Sequence, residues 1–291
     1  MGKSRNLICF CATVLLNLQL AVAQTTIALS QPQIQDLIRK VAVNDQANDK
    51  RQRDYTYIER VDEHKLDGKG QIKSTDVKTY DILEIYGEPV ERLTAKDNKP
   101  LSGKDAEKEE DKIQKLIDNH KNESDDARSK REVKEEKERE QDREFVNEVA
   151  DAYNFRFIGT EQLDGRQTYV IDAEPRPGFQ PHIKDAKILP HFRFRAWIDK
   201  DEAQWAKLDA TCIDDVSFGL FLARLHKGAR IVIEQTRVNN EVWLPQHVAL
   251  KVDVRLALLK NFNIEQDVTF RDYKKFRSAT RIIPGGEVST Q

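Results

Sequence analysis

FRFRAWIDKDEAQWAKLDA, residues 192–210, alternates apolar and polar side chains, stops at a run of charge, and then alternates again. Successive side chains of a strand point to opposite faces, so a period of two marks a sheet with one apolar side. Phe192, Phe194, Ala196 and Ile198 share one face, and Asp199, Lys200, Asp201 and Glu202 supply a turn. Ala206, Leu208, Ala210 and Cys212 then resume on one face of the next strand. Strands joined this closely are antiparallel neighbours.

The rhythm extends in both directions. Residues 229–238 and 241–255 read as long strands joined at Asn239 and Asn240, a residue type that tolerates the positive φ of a tight hairpin. A last strand covers about 263–273. Upstream, Phe155 and Phe157 alternate with Arg156 and Ile158 up to Asp164-Gly165, and Tyr169 and Ile171 lie on the return strand. A proline-rich loop, 175–190, follows. Residues 54–67 and 71–86 pair across Asp67-Gly68-Lys69-Gly70, and 88–95 reads as a third strand. Residues 217–225 read as a short amphipathic helix that ends near Gly228.

Two regions break the β pattern. Ser30-Gln31-Pro32-Gln33 has the form of a capping box, with Ile34, Leu37, Ile38 and Val41 behind it at helical spacing, which predicts a helix over about 31–46. Its apolar stripe packs on the body of the domain or serves as part of a movable lid. Residues 102–153 read as a charged helical hairpin inserted between strands. Ile113, Leu116 and Ile117 mark one face, a polar break covers 118–126, and Phe145, Val146, Val149 and Tyr153 form a second stripe. Only Val133 is apolar between Arg128 and Glu144, so that part is solvated and supported by pairs such as Glu135 with Arg139.

About ten antiparallel strands without a βαβ rhythm give an α+β, mostly antiparallel β class. The expected form is one unclosed, curved barrel with an N-terminal helix and the helical insertion at 102–153. The first 23 residues are excluded from this domain. Lys3 and Arg5 precede an apolar run that ends at Ala21-Val22-Ala23, the pattern of an export signal cleaved after Ala23. The domain then covers 24–281, and 282–291 is a disordered tail. The expected compartment is the periplasm, with a soluble monomer there.

Cys9 and Cys11 fall inside the signal, leaving Cys212 as a lone thiol that reads as a small buried hydrophobe. The 48 basic and 50 acidic side chains nearly cancel to a formal charge of -2, so no global field draws in nucleic acid. The six histidines make no HExxH pair, and His182 and His191 merely flank the proline-rich loop. No G-x-S-x-G, phosphate-cradling or dinucleotide motif occurs, so the reading is of a protein that is not an enzyme and needs no cofactor or metal.

The element order resembles the periplasmic LolA/LolB superfamily of outer-membrane lipoprotein-sorting proteins, with sensor relatives of the RseB type. The resemblance is carried by residues 192–210 and by GARIVIEQTRVNNEVWLPQHVALKV, residues 228–252, with Trp243-Leu244-Pro245 after its hairpin. It implies an unclosed β-barrel whose hydrophobic cavity holds acyl chains of lipid or lipoprotein under a helical lid. The charged insertion is longer than a lean carrier of this kind needs, and the family's ligand-gating arginine matches no one position.

Sheltering an acyl chain contributes about 0.8 kcal/mol per CH₂, on the order of 10 kcal/mol for a long chain, and needs no directional bonds. The side chains expected to line the trough are Phe155, Phe157, Tyr169, Ile171, Phe192, Phe194, Leu208, Ile231, Ile233, Val248, Leu250, Val252, Val268 and Phe270. Acyl chains, and possible envelope membrane proteins as docking sites, are the expected partners of a carrier between inner and outer membrane. The alternative on the same fold is a periplasmic sensor or envelope interaction protein that binds a protein partner.

Overall fold

The computed structural model describes residues 28–86, 88–218, 223–256 and 260–276. The export signal and the tail expected at 282–291 lie outside them. Helix α1 (Gln31–Gln52) leads into strands β1 (Tyr55–Leu66), β2 (Ile72–Ile85), β3 (Glu88–Lys96) and the short β4 (Lys99–Pro100). Helices α2 (Gly103–Lys121) and α3 (Asp125–Ala152) follow. The second half holds β5 (Tyr153–Leu163), β6 (Arg166–Pro175), a 3-10 turn (Asp185–His191), β7 (Phe192–Asp199) and β8 (Trp205–Cys212). It ends with β9 (Val216–Phe218), β10 (Ala223–Leu225), β11 (Arg230–Val238), β12 (Val242–Leu256) and β13 (Lys260–Lys275).

The thirteen strands form one sheet in the order β4-β3-β2-β1-β13-β12-β11-β8-β7-β6-β5, with β9 and β10 attached to β12. All pairings are antiparallel, and the end strands β4 and β5 do not pair with each other, so the sheet is open. The turns use the chemistry expected of them. Asn239 and Asn240 sit at φ 51° and 56°, and Asp164 with Gly165 at 48° and 78°, the left-handed pairs that match the twist of two-residue hairpins.

One expectation is corrected. Residues 217–225 are not helical where described: β9 and β10 pair with each other, and β10 adds to β12 through Ala223 opposite Leu256 and Leu225 opposite Val254. β12 runs past the end of β11, and its bare edge there offers the hairpin a ladder that outweighs local periodicity.

The insertion is helical as expected, with two helices in succession. α2 lies against β3, whereas α3 packs on α1 and on the 3-10 turn. Because it leaves from β4 and returns into β5, this segment is a strap joining the two ends of the open sheet.

The quoted turn is held from within. Asp199, 0% exposed, accepts backbone N–H groups of Asp201 (3.1 Å) and Glu202 (2.8 Å) and a two-pronged contact from Arg166 at 2.6 and 2.9 Å. Burial pushes its carboxyl up, but Arg166 and the turn amides outweigh that and hold it below the usual carboxylate range. Glu202 ties the turn to its neighbours, accepting from Arg237 (2.9 Å) and from the Trp243 indole (2.8 Å).

Candidate functional site

Reading across the registers assigns every strand residue to a face. Phe157, Ile171, Ala196, Leu208, Ile233, Val248, Val268 and Val61 stand opposite one another in a single row from β5 to β1. The next row runs Phe155, Ala173, Phe194, Ala210, Ile231, Leu250, Gln266 and Glu63. Both rows belong to the face that carries α1, here the inner face, because Ile34, Ile38 and Val41 of α1 share a core with Ile171, Ala196 and Phe155.

The outer face is charged. Arg156, Asp172, Arg195 and Asp209 alternate along one row, with Asp172 held by Arg156 at 2.8 Å and Arg195 at 2.5 Å. Arg230 pairs with Asp209 at 2.6 Å, Lys207 with Glu234 at 2.6 Å, and His247 with Asp267 at 2.8 Å. A cleft of about 550 Å³ on this side is lined by Arg156, Arg193, Arg195 and Arg230 beside Asp172 and Asp209. Such cross-strand ladders stabilise a solvated face.

Helices cover only part of the inner face. Phe155 and Ile171 are buried, and Phe157, Tyr169, Phe194 and Leu208 pack beside them, under α1, α3 and the 3-10 turn. Phe192 and Val252 join a smaller cluster around Cys212, Val216 and Ala229 at the β9–β10 end. The six remaining expected residues, Ile231, Ile233, Val248, Leu250, Val268 and Phe270, are half-buried side chains of β11, β12 and β13. They belong to none of the buried clusters among the described residues. The expected lining thus divides into a roofed set over β5–β8 and a half-buried apolar set on β11–β13 that lies outside the buried clusters. Phe270 at the end of this set packs against Tyr57, edge-on at 5.9 Å.

Sequence reasoning missed the side-chain amides that fix the roof. At one end of α1, Gln31 takes the Phe155 N–H (2.8 Å) and donates to the Tyr153 carbonyl (3.1 Å), as a neighbouring strand would on the free edge of β5. At the other end, Asn48, 0% exposed, does the same for Trp243, accepting its N–H and donating to its carbonyl, both at 2.8 Å. β12 has that edge free because its pairing with β13 begins only at His247. Gln52 adds a second donor to the Trp243 carbonyl at 2.9 Å. Between these clamps Asp45 accepts from Gln204 (2.7 Å) and the Trp205 indole (3.0 Å). Burial raises its pKa more than these bonds lower it. Hydrogen-bonded at both ends, α1 packs its apolar stripe on the body of the domain, as the stripe-on-body reading expects.

The histidines beside the proline-rich loop have separate partners: His182 meets Glu148 (2.8 Å) and His191 meets Asp214 (2.5 Å). No group of three metal-ligating side chains converges among the described residues. No helix among them is long and apolar enough to cross a membrane.

No family model and no curated protein matches the chain. Several solved structures are similar to it in part. A DUF1329 family protein from Desulfovibrio piger is 12% identical, covering 84% of this chain and 94% of its own, with a TM-score of 0.30. A LolA superfamily protein from Nitrosomonas europaea is 9% identical over 86% and 94%, at 0.28. An outer membrane lipoprotein-sorting protein domain from Vibrio parahaemolyticus, described as putative, is 10% identical over 84% and 95%, at 0.26. With TM-scores this low, the open antiparallel sheet and its partial roof are read from the chain itself.

Proposed function

We propose that the protein is an exported, periplasmic carrier that takes acyl chains of lipid or lipoprotein into a trough over β11–β13. The observation that carries this reading is the division of the inner face: the apolar stripe of α1, which is clamped at β5 and at Trp243 of β12, shares a core with side chains of β5–β8, while six apolar side chains on β11–β13 stay half-buried outside it. A charged outer face supports it, since the sheet then has one greasy side and one wet side. The reading involves no bond-making chemistry.

Val248 sits mid-row, between Ile233 and Val268. Delipidated protein is expected to take up a fluorescent acyl probe, and Val248→Asp to weaken that uptake at least about tenfold, because it sets a charge among alkyl groups. Thermal unfolding of the variant reports whether its fold is kept. Wild-type protein that ignores acyl probes overturns the reading.

A second reading, an envelope sensor or interaction protein, is favoured by the strap, which is highly charged and leaves Val133 68% exposed. In that case partner binding is unaffected by Val248→Asp.

A further inference from the structure

On the outer face of the sheet, one row departs from alternating charge. Arg193 stands opposite Thr211, Thr211 opposite Arg230, and Arg230 opposite Lys251, so the row crosses β7, β8, β11 and β12 without a carboxylate. The neighbouring row, Arg156, Asp172, Arg195 and Asp209, changes sign at every strand. Like charges directly opposite each other destabilise a sheet, so stability alone gives no reason to set Arg230 against Lys251.

The side-chain contacts show what each cation has left to offer. Arg230 leans back to Asp209 at 2.6 Å, and Lys251 turns on to Glu265 at 2.6 Å. Arg193 is exposed and makes no hydrogen bond or ion pair among the described residues. Arg156 donates to Asp172 through Nη2 alone, while Arg195 and Arg230 use Nε and Nη2 on Asp172 and Asp209. The Nη1 groups of all three donate to nothing among the described residues. Two aspartates thus hold three guanidinium planes in place and leave an edge of each free.

These groups line the cleft of about 550 Å³, the size of a small-molecule site, where four guanidiniums face three carboxylates, Asp172, Asp209 and Glu174. A guanidinium has five N–H donors, so donors far outnumber acceptors there.

We propose that this cleft binds a small anion with two or more phosphate groups, held between Arg193 and Arg230 with the Thr211 hydroxyl between them. Two strand spacings separate these arginines, about 10 Å at the backbone, and two long side chains close that gap on the ends of a short phosphate chain. A terminal phosphate carries nearly two charges and three acceptor oxygens, and it matches guanidinium forks. A carboxylate brings one charge and two oxygens, so phosphate answers the donor surplus better. The site lies across the sheet from the trough and does not depend on the acyl reading.

The test is calorimetric titration of the full chain with inorganic tripolyphosphate at neutral pH and low salt, with citrate, a tricarboxylate, as the comparison. Saturable binding of tripolyphosphate at one site is expected, with citrate weaker. Arg193→Gln should weaken tripolyphosphate about fivefold, the scale of an exposed charge contact. Because Arg193 holds no other side chain in place, that variant should keep the wild-type melting curve. Lys40→Gln, on the exposed side of α1, removes the same charge elsewhere and should leave the affinity unchanged. No saturable binding, an affinity untouched by Arg193→Gln, or an equal loss in Lys40→Gln overturns the site. Citrate binding as tightly as tripolyphosphate overturns the phosphate assignment.

Discussion

Asp199 shows how one residue converts a sequence pattern into a fixed register. It closes the turn on which β7 gives way to β8, and its buried carboxylate is compensated by Arg166 and two backbone N–H groups. Removing it strands Arg166 and opens the turn, so Asp199→Ala is expected to cost about 3 kcal/mol in denaturant unfolding. The folded-state pKa is depressed, so the stabilisation is present above the ordinary aspartate pKa of about 3.9 and is lost as pH falls through the lower folded value. Acid unfolding of wild type should therefore contain a step in that window which Asp199→Asn lacks. The turn was legible from its run of charge between two alternating stretches. The complete burial of Asp199 was not, because it depends on Arg166, 33 residues upstream.

At the scale of elements, α1 owes its position to side-chain amides as well as to its apolar stripe. Asn48 bonds both backbone groups of Trp243, and Asn48→Ala leaves the N–H buried and unpaired while Gln52 still donates to the carbonyl, which should destabilise the fold by about 2 kcal/mol in chemical denaturation. Gln31→Ala should cost less, about 1 kcal/mol, since its site on β5 is only partly buried. The strap shields the other end of the sheet in the same manner: Glu109 of α2 accepts the Leu93 N–H (2.9 Å) and Lys112 donates to the Glu91 carbonyl (3.0 Å). Exposed strand edges invite association with other chains, and here helix side chains occupy them. Strands and helices were readable from period and turn chemistry. A glutamine that stands in for a strand has no local signature, since the need for it is created by a distant edge. The same limit explains residues 217–225, where a β12 edge overrode helical spacing. Alternation also identified the inner face, but which of its side chains α1 covers depends on distant packing that has no local signature.

At the scale of the whole molecule, the strap is the segment most open to attack among the described residues. Lys130 and Lys134 of α3 are largely exposed, while β1 on its near side and β13 on its far side are paired along most of their length. Limited trypsin digestion is expected to cut first within residues 125–143 and to give two pieces that co-elute on gel filtration and separate only in denaturant. Early cleavage elsewhere, or separation without denaturant, would contradict this arrangement. The β1–β13 pairing also bears on how the chain reaches its fold. Val61 meets Val268 in mid-sheet, so roughly 200 residues of sequence separate two central neighbours, and high contact order of this kind slows folding. Made from its N terminus, the chain completes β1, β2 and β3 long before the strand that must sit beside them exists. That early meander has to wait with one bare edge until synthesis is nearly finished, a natural point for a holding chaperone to act.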